Sequence, residues 1–228
     1  MENKMQNATI SADIVSSTSL SVIDLTHLQS VIRQFLDELS RESQDEDWGR
    51  LFKGDSVEIF LKDPHKALRK ALLLKALVKK TFVESNMGAR QSPFKRFGVR
   101  MAIGIGEMRM ANKDRDVLDG EAIYYSGRML EKADREGISV KRSMFFACKD
   151  PMLTEQMDVM LGLLDVLFKD ATARQSEILY YKLTGLNEEE IAAKLSIKQS
   201  AVNQHSNASG WKAIESAVNY FEKLNFGQ

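Results

Sequence analysis

The sequence predicts an α+β protein: a ferredoxin-like antiparallel sheet with its helices on one face, followed by an all-α domain. Three observations predict this. The first half alternates β-branched, strand-like runs with segments of helical apolar period. Their order is strand, helix, strand, strand, helix, strand, the split β-α-β arrangement. From Thr172 onward only helical patterns occur.

Residues 8–15 (ATISADIV) are apolar and β-branched and predict a strand, which Ser16–Ser19 ends. Leu25, Leu28, Val31, Ile32, Phe35, Leu36 and Leu39 then recur at spacings of three and four, one face of a helix. Residues 48–53 (WGRLFK) and 56–62 (SVEIFLK) flank Gly54-Asp55 and predict a β-hairpin. Asp63-Pro64 opens a helix over about 65–83, and 97–105 (FGVRMAIGI) predicts the next strand. A third helix is expected over 121–135, stopped by Gly137, then a strand or strand pair over 138–147. Pro151 begins a helix over 153–168 that joins two domains. The expected division is 1–150, a connecting helix 151–170, and a helical domain 171–228.

Composition narrows the function classes. Net charge is zero, with 32 basic and 32 acidic residues, so no basic excess favours nucleic acid. The single cysteine, Cys148, follows the apolar run Met144–Ala147, which suits packing and a reducing compartment. Residues 1–7 are polar with no signal-peptide core, and no apolar run is long enough for a membrane span. A cytoplasmic protein is expected.

The C-terminal domain carries the most specific local signals. Residues 173–183 form a first helix with Ile178, Leu179 and Leu183 facing a core, and Gly185 suits its C-terminal cap. Asn187 and Glu190 have capping-box spacing, and Glu188 and Glu189 lie at the positive end of the helix dipole. Ile191, Ala192 and Leu195 make the apolar face of the second helix. A third is expected over 198–214, burying Ala201, Val202 and Ala208. This stretch, Glu190-Ile191-Ala192-Ala193-Lys194-Leu195-Ser196-Ile197 followed by Ser200 and Val202, resembles the helix-turn-helix of response regulators and sigma-factor region 4. That family usually has glycine in the turn, where Ser196 stands here. The resemblance implies DNA as partner and Lys198, Gln199, Ser200, Asn203, Gln204 and Asn207 as groove-facing residues. Asn and Gln read adenine edges, and Lys reaches guanine or phosphate. On residue type alone, the same six also suit a solvated polar face. The tail holds six basic residues against six acidic ones, so a monomer is expected to bind weakly and a dimer on two half-sites is preferred.

Three stretches of the first half resemble the catalytic domain of class III nucleotide cyclases. They are Asp13-Ile14-Val15-Ser16-Ser17-Thr18, Lys53-Gly54-Asp55-Ser56-Val57, and residues 98–107 (GVRMAIGIGE) followed by Gly120 and 123–130 (IYYSGRML). The resemblance implies that Asp13 and Asp55 occupy the metal positions for magnesium or manganese with a bound nucleotide, and that Arg128 occupies the transition-state position. Asp13 and Asp55 equally suit turn capping. The family's Asn is replaced by Tyr124 and its base-reading Lys by Leu51. Its second base-reading position falls on Val117, beside Asp116. The implied enzyme is therefore incomplete. The family's domains pair head to tail, which implies a homodimer. Together the two resemblances predict a DNA-binding transcriptional regulator with a cyclase-like dimerisation or ligand-sensing domain. The alternatives are a divergent cyclase with a regulatory helical domain and a protein-interaction adaptor.

Overall fold

The computed structural model describes residues 5–81, 92–138 and 141–226. Among the described residues six strands form one mixed sheet: β1 (Gln6–Ile14), β2 (Trp48–Phe52), β3 (Ser56–Leu61), β4 (Val99–Asn112), β5 (Val117–Gly120) and β6 (Met144–Cys148). The order is β2-β3-β1-β4-β5, all antiparallel, with β6 added parallel to the first half of β4. The wholly antiparallel expectation fails at β6. A parallel partner needs a crossover, and the helix α4 (Glu121–Arg135) lies between β5 and β6 in the chain.

Helices cover both faces rather than one. Alternation along β1 divides its side chains. Ala8, Ile10, Ala12 and Ile14 enter the core with Leu28, Ile32 and Phe35 of α1 (Val22–Glu42) and Leu68 and Leu72 of α2 (Ala67–Thr81). Thr9 and Ser11 point the other way, and both hydroxyls meet Ser126 of α4, at 2.9 and 2.7 Å. Two glycines let α4 lie this close: a Cβ on Gly104 would stand 2.1 Å from the Ala122 carbonyl oxygen.

Several boundaries differ from the sequence expectation. Phe97 ends a short helix, α3 (Ser92–Phe97), and the strand starts at Val99 and runs on to Asn112. The hairpin turn is Lys53-Gly54-Asp55, with positive φ at Lys53 and Gly54, and the Asp55 carbonyl accepts from Ile14 N–H. The helix expected over 65–83 begins with a tight turn at Pro64–Lys66 and continues as α2 to Thr81; Val83 lies outside the described residues. Of the strand expected over 138–147, only Met144 onward pairs; residues 139–140 lie outside the described set. The connecting segment is α5 (Pro151–Asp170), started by Asp150, whose carboxylate caps Met152 and Leu153 N–H.

The C-terminal part contains α6 (Ala173–Leu183), α7 (Glu188–Leu195), α8 (Gln199–Ala208) and α9 (Trp211–Phe221). The single helix expected over 198–214 is two. Gly210, at φ +74°, breaks it, and α9 turns Trp211, Ile214, Val218 and Phe221 into the core. That core is continuous with the sheet's, because α6 packs on α2 and contributes Leu179 and Leu183.

A buried polar cluster ties α2 to α5 and β6. The fully buried Lys75 donates to the Phe97 and Val99 carbonyls and to Ser143 Oγ, and its ammonium lies 3.3 Å from Asp165. Asp165 in turn accepts from the Ser143 N–H and hydroxyl, both at 2.6 Å. Buried charge is tolerated when paired and hydrogen-bonded in this way. Among the described residues no helix is long and apolar enough to cross a membrane.

Candidate nucleic-acid interface

The face that carries the predicted contact residues is built from α6, α7 and α8. Ile178, Ile191, Ala192 and Val202 form a small core of their own, with Leu186, Leu195 and Ile197 packed around it. Two capping boxes fix the helix starts: Thr172 with Gln175 for α6, and Asn187 with Glu190 for α7. Each satisfies N-terminal N–H groups that would otherwise lack partners. Ser196 ends α7 in the left-handed conformation, φ +53°, and turns the chain into α8. A residue with a Cβ pays a cost there that glycine avoids.

Val202 and Ser206 are buried and anchor α8. Lys198, Gln199, Ser200, Asn203, Gln204 and Asn207 are all exposed. Ala208, expected inside, is exposed too, because the chain turns away at Gly210. Two of the six are already engaged locally. Asn203 Nδ2 donates to both oxygens of Glu188 at 3.4 Å, and Asn207 Nδ2 donates to Asn203 Oδ1 at 2.9 Å. The Glu188 contact was not anticipated from sequence, since it joins residues fifteen apart on different helices. Lys182 neutralises the same carboxylate at 3.2 Å. Lys194 lies over the Tyr181 ring, 5.4 Å from its centre.

The other predicted residues lie at the front of the sheet and on α4. Asp13 and Asp55 are neighbours at one end of the β1–β3 pair. Burial raises the Asp13 carboxyl above its ordinary range, against the lowering effect of Arg100, and the Asp55 charge adds to the rise. Arg100, opposite Asp13 in the β1–β4 register, donates from Nε and Nη2 to Asp13 Oδ2 and also pairs with Asp134. Asp55 Oδ2 accepts from the Ser17 hydroxyl at 2.7 Å. A hard divalent ion wants about six oxygen ligands. Two carboxylates, one already holding a guanidinium, fit a two-ion centre poorly. Among the described residues no group of three or more His, Cys, Asp or Glu is arranged to hold a metal.

Arg128 stands on the exposed side of α4, its guanidinium 5.4 Å from the centre of the Tyr124 ring. Tyr124 donates to Asp119. The structure thus brings Asp13 and Asp55 together, and Arg128 has different neighbours. The sequence does not reveal Arg100 as the partner of Asp13; only the strand register places it opposite. Cys148 is half-buried beside Thr154, and burial pushes its thiol up, away from the reactive thiolate form.

No protein-family model matches the chain, and no curated protein matches it.

Proposed function

We propose that the chain is a DNA-binding transcriptional regulator, with α6–α8 acting as a helix-turn-helix and α8 as the helix that enters the major groove. The observation that carries this reading is the single polar face of α8. All six side chains picked for base and phosphate contact are exposed, while Val202 and Ser206 fasten the opposite side of the helix. The groove accommodates one helix, and Asn, Gln and Lys at its front match the chemistry of base edges.

In this reading the front half is a cyclase-like domain that supports dimerisation or senses a ligand. It is not a working cyclase. Leu51 and Tyr124 stand where purine- and ribose-positioning groups would be needed, and Arg100 holds Asp13. For magnesium or manganese with a nucleotide to reach Asp13, Arg100 has to release it.

A second reading has its own support: α8 docks on a protein. The acidic first turn of α7, Glu188–Glu190, stands beside α8, and Asn203 is bound to one of those carboxylates. Phosphates would be repelled there.

Fluorescence anisotropy with a random pool of labelled duplexes separates the readings. A regulator binds the pool with an affinity that falls steeply as salt rises, because phosphate contacts release counterions. An adaptor leaves the anisotropy flat at every salt concentration. Incubation with ATP or GTP and manganese, read by mass spectrometry, is expected to give no cyclic product.

A further inference from the structure

One helix is apolar on two sides. α5 buries Met157, Leu161, Leu164 and Phe168 in the main core. Its opposite side exposes Met152, Val159, Leu163 and Val166, each between 54% and 71% accessible. A helix apolar on both sides is normally covered on both. The spacings of seven, four and three are those of a coiled-coil seam, with Gln156 filling the one open position.

We infer that this stripe is a homodimer seam, in which α5 packs antiparallel against α5 of a second copy of this chain. The charges beside the stripe select that occupant. Glu155 and Lys169 lie equally far, seven residues, on either side of Gly162. About a two-fold axis near Gly162, Glu155 of one copy faces Lys169 of the other, and the reverse pair forms by symmetry. Val159 and Leu163 of the second copy are symmetric about Leu161, one residue from that axis, so they meet across the seam offset by about 3 Å. A closed two-fold interface requires this kind of self-complementarity. A parallel pair would bring no opposite charge to Glu155, since its neighbour across the seam would be Met160. The seam rests on α5 alone and holds whether or not α8 reads DNA. It is also distinct from the head-to-tail pairing that a cyclase-like front half implies.

Sedimentation equilibrium of the full chain at micromolar concentrations tests the seam. The wild type is expected to dimerise reversibly. Leu163→Glu, at an exposed position, is expected to raise the dimer dissociation constant at least about tenfold with the melting temperature of the monomer unchanged. Glu155→Lys alone weakens the dimer, and Glu155→Lys combined with Lys169→Glu restores it. A monomer throughout the range overturns the proposal. A dimer that ignores Leu163→Glu also overturns it and points to the sheet-domain pairing instead. A double charge swap as weak as the single one overturns the antiparallel register.

Discussion

Asp13 and Arg100 face each other on neighbouring antiparallel strands, and the guanidinium reaches from Asp13 across to Asp134 on α4. One arginine thus joins both central strands to the helix behind the sheet. Asp13 and Arg100 are partly shielded from water, with about a quarter of each side chain accessible, whereas Asp134 is exposed. Removing Arg100 leaves the half-buried Asp13 carboxylate without its cation. Arg100→Ala is expected to destabilise the fold by about 2 kcal/mol, between the values for exposed and buried pairs. Urea unfolding measures it, and a loss below about 0.5 kcal/mol would show that the pair is only a surface contact.

The close seat of α4 makes a sharper prediction. A methyl group on Gly104 meets backbone atoms, the Ala122 carbonyl and the Ser126 N–H, rather than a movable side chain. Gly104→Ala should therefore cost about 3 kcal/mol, at the top of the usual range for overpacking. Gly127 on the same helix meets nothing within 4 Å, so Gly127→Ala is the control and should be neutral or stabilising.

How much of this was readable beforehand varies along the chain. The spans of α4 and α6 were legible from apolar period and the glycines that follow them. The capping box at Asn187 was legible because its signal is local, three residues wide. Pairing was not. Nothing short-range in Met144–Cys148 tells a strand that it will lie parallel to β4, or tells Arg100 that it will meet Asp13. The helix break at Gly210 carried a visible residue but not its meaning. A lone glycine is tolerated inside helices, and only the burial of Trp211 in a distant core makes the chain turn there. The exposed face of α8 was named from the helix-turn-helix resemblance, while the hold of Glu188 on Asn203 depends on how α7 and α8 cross.

Ser196 offers a test of backbone strain. It adopts the left-handed conformation, which costs a residue with a Cβ about 1 kcal/mol relative to glycine. Ser196→Gly is expected to raise stability by about 0.5 kcal/mol, the gain being reduced by the greater freedom of glycine in the unfolded chain. Thermal unfolding of the variant checks this, and a clear loss would mean that the hydroxyl has a role in the turn.

Lys79 links stability to pH. Its ammonium donates to the Arg96, Phe168 and Lys169 carbonyls, joining α2 to α3 and to the end of α5. Burial lowers its pKa to about 7; nearby Lys75 adds to the fall, and Asp165 and Asp170 oppose it. Between that value and the ordinary lysine value, the unfolded chain binds more protons than the folded one, so this group makes stability rise with pH. The wild type is expected to gain stability from pH 6 to pH 9 relative to Lys79→Met, which lacks the titration. Parallel profiles for the two proteins would contradict it.

Sequence selection from a random duplex library with the full chain tests the reading of α8 most directly, with wild type and Asn203→Ala/Gln204→Ala run side by side. The account predicts that the wild type enriches a defined motif and that the double variant loses preference at the bases these side chains read, each good contact being worth about 1–3 kcal/mol. It also predicts that Lys198→Ala keeps the motif and binds every duplex more weakly. Failure of the wild type to enrich any sequence, even at low salt, would contradict it.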